Sequence, residues 1–507
     1  VRKLLPFLVV LMLSELAGAS IVLRVPDNGT VTYPWVIAGI GTDGREGFII
    51  VTPFNVTSNG KPPSPGALVL DIGENGSLRW VKSARGASFY PSPEIQYAIA
   101  NGSVVLVGRS DFGNPTDLWV IRLDHDGELL WSKDYNLDIG SGWITFVDDV
   151  SMAGNETIIA THVEYYSSGT YSSRPLLIVL DGNGRVLWAR QYWLIHGPRE
   201  LYSAAAGKLE DGYYLILHDN HGEYYYLNLG QNGEIKDAFR FQTRLKNSRL
   251  KNFFVKSATS AGKTLYFLGG SSNGTVLGMI LNGEVLWSRL YTLTPKGTCR
   301  RPREENASLV SVATYSTEPS DSLVFSRGYL FFQPAVSREF NLTCDGLNRV
   351  YAVIKTDGMG NVLTKFAAVE NTTKFGVFMN PKGLAINGDS FIALWSLSYT
   401  NGSFVRFRDI VLISEFGKSP QGSLKAYPIE VTTNLAGVTL VHDGEFESRV
   451  VAFTTADLPL KVEKAGMPPF LAVETLKDKH EEKICGPGVV VLVALFTPLV
   501  LASVKNL

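Results

Sequence analysis

The nearest approach to a metal-binding cluster in the 507-residue chain is His218-Asp-Asn-His221. Imidazole and carboxylate are the right ligand types for zinc, which takes four. These residues fall in a loop between two apolar runs, where a polar hairpin needs the same composition, and no third or fourth ligand can be assigned to them. No metal site is expected. Asp148-Asp149 offers a pair of carboxylates, but neighbours on a strand point to opposite faces. His162 and Glu164, two apart, share a face, which suits acid–base work and equally a hydrogen-bonded pair at a strand end. No Gly-x-Ser-x-Gly, His-Glu-x-x-His or phosphate-cradling glycine loop is present. No catalytic residue is therefore assigned, and a non-enzymatic role is expected.

The elements that must position these residues announce themselves as a repeat. An apolar strand runs into a turn ending in Gly, and Trp follows four residues later: Gly76/Trp80, Gly127/Trp131, Gly184/Trp188 and Gly283/Trp287. Three copies add Tyr eight residues after the Gly, at Tyr135, Tyr192 and Tyr291. The turn glycines stand at 76, 127, 184, 233, 283 and 360, with a degenerate copy near Gly417 to Gly422. Runs of Val, Ile, Leu and Tyr bounded by Asp-Gly or Asn-Gly read as strands joined by hairpins. Four such strands in every ~50 residues is the mark of a β-propeller blade. The expectation is an all-β fold, a single propeller over residues 20–456, with the repeat Trp on each fourth strand covering the preceding sheet. Residues 431–456 supply three strands without a Trp strand, and Ile21–Val25 can complete them. Eight blades, one split between the termini, are expected, with seven as the alternative.

The ends point outside the cell. Arg2-Lys3 before an apolar run and Ala17-Gly18-Ala19 read as a secretory signal over 1–19. Residues 484–504 carry no charge and, at ~1.5 Å per residue, match a hydrocarbon core of about 30 Å. Residues 457–483 then form a stalk and 505–507 a cytoplasmic tail, giving a single-pass cell-membrane protein with its propeller extracellular. Ten Asn-x-Ser/Thr sites, at Asn28, Asn55, Asn75, Asn101, Asn155, Asn273, Asn306, Asn341, Asn371 and Asn401, are glycosylation candidates. A net charge of −1 gives no basic surface for nucleic acid.

Loops after strand four and between strands two and three share one rim of a propeller; the other turns share the opposite rim. Cys299 and Cys344 fall on the first rim of one blade, so a disulfide is expected between them in an oxidising compartment. It would staple the long insertion from about Thr292 to Asn348, while Cys485 is left over at the membrane boundary. The same rim collects the long loops near 53–66, 165–175 and 398–408, and is expected to face away from the membrane.

Leu123-Asp-His-Asp-Gly-Glu-Leu-Leu-Trp131 and Leu180-Asp-Gly-Asn-Gly-Arg-Val-Leu-Trp188 resemble the PQQ-like propeller repeats of secreted and surface-anchored proteins. The resemblance implies a propeller across 20–456. Dehydrogenases of that family place a vicinal Cys pair over the quinone, and none of the three cysteines here is adjacent to another; no cofactor is expected. Three readings follow: an anchored propeller binding a protein or glycan partner at its outward rim or contributing to the cell envelope, an extracellular enzyme on carbohydrate or alcohol substrates, and an accessory subunit of a membrane transporter or protease complex. The enzyme reading requires acidic or basic side chains from several inner strands at one end of the channel.

Overall fold

The computed structural model describes strands and turns between residues 20 and 476, leaving out 1–19, 25–38, 57–63, 74–77, 86–95, 110–116, 244–252, 296–322, 334–339, 371–376, 415–423, 465–471, 477–507 and a few shorter gaps. The described residues hold no helix. Their strands form seven antiparallel sheets, not the favoured eight. Blades one to six span 39–85, 96–138, 143–194, 201–243, 254–295 and 323–370, and blade seven joins 377–414 to Ser20–Arg24. Successive innermost strands touch around the ring, and the strand of blade seven returns to that of blade one. The hydrophobic core lies between sheets, as with Val163, Leu176 and Ile178 against Val107 and Leu118 between blades two and three.

Ring closure has the expected device but different partners. Ser20–Arg24 is the fourth strand of blade seven and pairs with Phe404–Ser414, not with 431–456. The stretch near Gly417 to Gly422 therefore needs no Trp strand after it, because the fourth strand comes from the other end of the chain. The expected insertion between Thr292 and Asn348 also contains structure: Leu323–Ser326 and Tyr329–Phe332 are the first two strands of blade six.

The segments read as an eighth blade and a stalk form a belt. Leu424–Ala426, Ile429–Leu435, Val438–His442, Phe446–Val450, Ala452–Asp457, Lys461–Lys464 and Ala472–Leu476 each add a fifth strand, to blades six, five, four, three, two, one and seven in turn. The chain thus runs backwards around the whole perimeter. Sheet twist makes this possible. At about 20–25° per strand, three steps turn the fourth strand well away from the ring axis, so a chain pairing antiparallel with it is carried on to the preceding blade. Hydrogen bonds continue across the joints, from Ala436 N to Ser288 O at 2.9 Å and from Val451 N to Ala189 O at 3.0 Å. An unpaired outer edge on every blade would be a template for association, and the belt covers it.

The Gly/Trp/Tyr repeat clasps each blade to the next one, which corrects the expectation that its Trp covers the preceding sheet. All four repeat tryptophans, Trp80, Trp131, Trp188 and Trp287, lie against the turn glycine of the following blade: Gly127, Gly184, Gly233 and Gly360 respectively. A Cβ added at Gly127 would lie 2.8 Å from Trp80 Cζ3, one at Gly184 2.9 Å from Trp131 Cε3, and one at Gly360 2.7 Å from Trp287 Cζ3; at Gly233 the approach to Trp188 is closer still. These glycines have φ between +71° and +75°, a further reason for glycine. The rings also reach apolar residues across the joint, Trp80 in the core between blades one and two and Trp287 in that between blades five and six. The repeat Tyr then donates to the same turn: Tyr135 Oη to Gly184 O at 2.7 Å, Tyr192 to Gly233 O at 2.8 Å, and Tyr291 to Gly360 O at 2.6 Å. Blade four has Asp237 in place of the Trp, and Phe239 packs on Gly283 instead. The turns are set by aspartate: Asp181 Oδ1 accepts from Asn183 N and Arg185 N, both at 2.8 Å.

Candidate functional site

Two clusters lie at the rim formed by the loops after strand four and between strands two and three. The first is centred on His162 in the second strand of blade three. His162 Nδ1 is 2.7 Å from Asp148 Oδ1 and its Nε2 is 3.3 Å from Glu164 Oε1. Tyr171 donates to Glu164, and Tyr202 of blade four donates to Tyr171 at 3.3 Å. Phe146 stacks on the imidazole at 5.0 Å, Tyr202 meets it edge-on at 5.0 Å, and Tyr202 stacks in turn on His218 at 5.2 Å. Arg109 of blade two lies 5.2 Å over Phe146. The cluster therefore joins three blades.

A β-bulge makes the Asp148 contact. The register between the first two strands of blade three shifts between Val147 and Asp149, so Asp148 is the extra residue. Strict alternation would send Asp148 and Asp149 to opposite faces; with the bulge, Asp148 reaches His162 while Asp149 Oδ2 accepts from Ala206 N of blade four at 3.0 Å. His162 is buried, and burial opposes its charge. The charge and hydrogen bond of Asp148, reinforced by Glu164, outweigh that penalty and push its pKa up to about 9. Glu164 titrates below the usual carboxylate range: burial pulls upward, but the bonds from His162 and Tyr171 prevail. Burial and the Glu164 bond hold the Tyr171 hydroxyl well above its ordinary range, and burial also raises Tyr202. The chemistry is an imidazolium clamped by two carboxylates. Its proton is held rather than poised for transfer.

His218 belongs to the edge of this cluster, with burial lowering its pKa. Asp219 is a turn residue, its Oδ1 accepting from His221 N at 2.9 Å and Glu223 N at 2.8 Å. The His218-to-His221 stretch is thus a polar hairpin. Among the described residues no group of His, Cys, Asp and Glu could hold a metal ion. Of the sequons, Asn155 is exposed, with its Oδ1 accepting from Arg122 Nη2 at 3.0 Å. Asn55, Asn341 and Asn401 lie in strands whose side chains there are outside the described residues, as are Asn28, Asn75, Asn101, Asn273, Asn306 and Asn371 altogether. Cys299, Cys344 and Cys485, the signal segment and 484–504 also lie outside them. Among the described residues no helix is long and apolar enough to cross a membrane.

The second cluster was not marked out by the sequence reading. Arg174, in the third strand of blade three, lies 5.7 Å from the Trp143 ring and 5.6 Å from the Trp193 ring. Tyr165 packs on Trp143 at 5.2 Å. At the same rim, on the opposite face of the sheet, Ile144 and Tyr166 are 37% and 73% exposed, and Ile195, just past the fourth strand, is 46% exposed. Trp143 and Trp193 fall outside the Gly-plus-four repeat, and that departure was the available signal.

No protein-family model matches the chain, and no curated protein does. Among solved structures it is similar to the hemagglutinin-neuraminidase of parainfluenza virus 5, at 7% identity and a TM-score of 0.29, over 79% of this chain and 96% of that one. That similarity concerns fold alone, and at that score nothing passes from it to this chain. The likeness to PQQ-like repeats rests on the repeat sequence itself.

Proposed function

We propose that the chain is a surface-presented propeller of the PQQ-like repeat type that binds a partner at the rim of blade three. The observation that carries this is that one rim of blade three carries Trp143, Tyr165 and Trp193 on one face of its sheet, Ile144 and Tyr166 on the other, and Ile195 just past the fourth strand, with Ile144, Tyr166 and Ile195 exposed. Aromatic side chains of this kind dominate binding energy when a partner covers them. The enzyme reading draws less support: among the described residues the carboxylates of the innermost strands are Asp148 and Asp149, both from blade three and each engaged within the scaffold.

Anchorage through 484–504, a removed 1–19 signal, and glycosylation outside the cell belong to the same proposal. Ser20 and Leu476 are cross-strand partners at the outer edge of blade seven. With the signal removed, the 484–504 anchor would depart from that edge. Blades three and four lie across a seven-bladed ring from it, which favours a partner arriving from outside the membrane.

Affinity purification of the full chain from its native membrane, alongside Tyr166→Ala and Ile195→Ala variants, tests the proposal. A stoichiometric partner captured by the wild type and lost by the variants, with thermal midpoints unchanged, is expected. Equal capture by all three proteins, or none by any, removes the reading.

A further inference from the structure

The belt covers the fourth strands by becoming the outermost strand of each sheet, and its own edge is not equally protected everywhere. On blade one Lys461–Lys464 is dense in charge, on blade three Phe446–Val450 carries Glu447 and Arg449, and on blade six Leu424–Ala426 is three residues long. Short strands and charges are the usual means of keeping an edge from pairing. Ile429–Leu435 on blade five lacks both over most of its length. It is the longest belt strand, at seven residues, and Val431–Leu435 carries no charge. Leu435 at its end is 80% exposed, more than any other large apolar side chain among the described residues. Backbone groups are unused along the same edge. Ala436 N donates to Ser288 O, and the register continues unbroken from Leu435 against Arg289 to Ile429 against Pro295. In an antiparallel ladder inward and outward groups alternate, so Thr432 and Asn434 bond inward while the N–H and C=O of Val431, Thr433 and Leu435 point away from the blade. The sheet ends at this strand, and among the described residues no other strand pairs with it from outside.

We infer that this edge pairs antiparallel with the same edge of a second copy of the chain, joining two five-stranded sheets into one. The occupant follows from the strand's complementarity to itself. Turned about Thr432, it sets Thr432 opposite Thr432, Val431 opposite Thr433, Glu430 opposite Asn434 and Ile429 opposite Leu435. No like charges meet, and pairs of Thr and of β-branched residues are among those that stabilise neighbouring strands. The outward groups of both copies would then form about eight hydrogen bonds. The symmetry is that of a closed dimer. Two antiparallel strands are related by an axis perpendicular to their sheet, and four steps of twist at about 20–25° carry the belt strand through roughly a right angle from the innermost strand. The two-fold axis therefore runs along the ring axis, and both propellers turn the same rim the same way, as two chains anchored in one membrane require. The pairing depends neither on the blade-three surface nor on the anchor.

Analytical ultracentrifugation of the purified full chain in detergent tests it, with a dimer expected for the wild type. Thr433→Pro removes an N–H that points outward, a position where an edge strand tolerates proline. By symmetry it deletes two bonds, and the dimer should weaken by at least about tenfold with the thermal midpoint unchanged. Should the proline lower that midpoint, cysteine replacement gives an independent reading. Thr432 would face its counterpart as a non-hydrogen-bonded pair with Cα atoms about 4.5 Å apart, within the disulfide range of about 4.4–6.8 Å, whereas Asn434 would lie about 13 Å from its own counterpart. After oxidation Thr432→Cys should run as a covalent dimer on a non-reducing gel, and Asn434→Cys should not exceed the wild type, which carries Cys299, Cys344 and Cys485. A monomeric wild type, a dimer unmoved by Thr433→Pro, or equal cross-linking of the two cysteine variants overturns the inference.

Discussion

Asp148→Asn removes the charge that keeps His162 protonated, and its consequences can be worked through. In the folded protein His162 titrates near 9 against an ordinary value of 6.5. A raised folded pKa means that the folded state holds the proton more tightly than the unfolded chain does. The resulting stability is fully present below about pH 6.5 and is lost as pH rises through about 9. A shift of roughly 2.5 units at about 1.36 kcal/mol each corresponds to about 3 kcal/mol. The side chain is only 7% exposed, so solvent screening reduces this little. Asparagine preserves an acceptor beside Nδ1 but leaves only Glu164, at 3.3 Å. The imidazole titration followed by NMR should then move down by more than one unit. Denaturant unfolding at pH 7 should show a loss of about 2–3 kcal/mol, toward the cost of breaking a buried pair. Between about pH 7 and 9.5 the variant should lose stability less steeply than the wild type. A wild-type titration midpoint at or below 6.5, or one unmoved by the substitution, would refute this account.

Two further outcomes follow from the clasp and the belt. Tyr192→Phe keeps the ring and removes the 2.8 Å bond to Gly233 O, leaving a buried carbonyl without that donor; denaturant titration should show a loss of about 1–3 kcal/mol, and a variant as stable as wild type would make the clasp purely a matter of packing. Ending the chain before the belt, after Ser414, should leave the outer edges of the blades unpaired and give soluble oligomers or aggregates by light scattering; a monodisperse monomer would show that the belt is not needed to protect them.

The fold was legible where one residue type answers one local demand. Gly at positive φ, Asp bonding the turn amides, and Trp and Tyr at fixed offsets repeat because each blade poses the same problem, and the propeller could be read from them. The direction in which Trp80, Trp131, Trp188 and Trp287 pack could not, because period and spacing do not say which neighbouring sheet a side chain meets. The belt was hidden for a related reason. Ile429–Leu435, Val438–His442 and Phe446–Val450 look like consecutive strands of one hairpin sheet, and their short connections favour that reading. Each pairs instead with a fourth strand already turned by sheet twist.

The His162 cluster divides along the same line. The shared face of His162 and Glu164 follows from strand periodicity and was visible in two letters of sequence. The Asp148 partner depends on a bulge, Tyr202 on the neighbouring blade, and Arg109 on the blade before. Arg174 meets Trp143 and Trp193 from separate strands. Strand, turn and repeat were written in the chain itself, since these rest on forces between residues a few positions apart. Blade number, the belt and both clusters emerged only with assembly of the sheets, because twist and cross-strand register bring together groups with no local relation to one another.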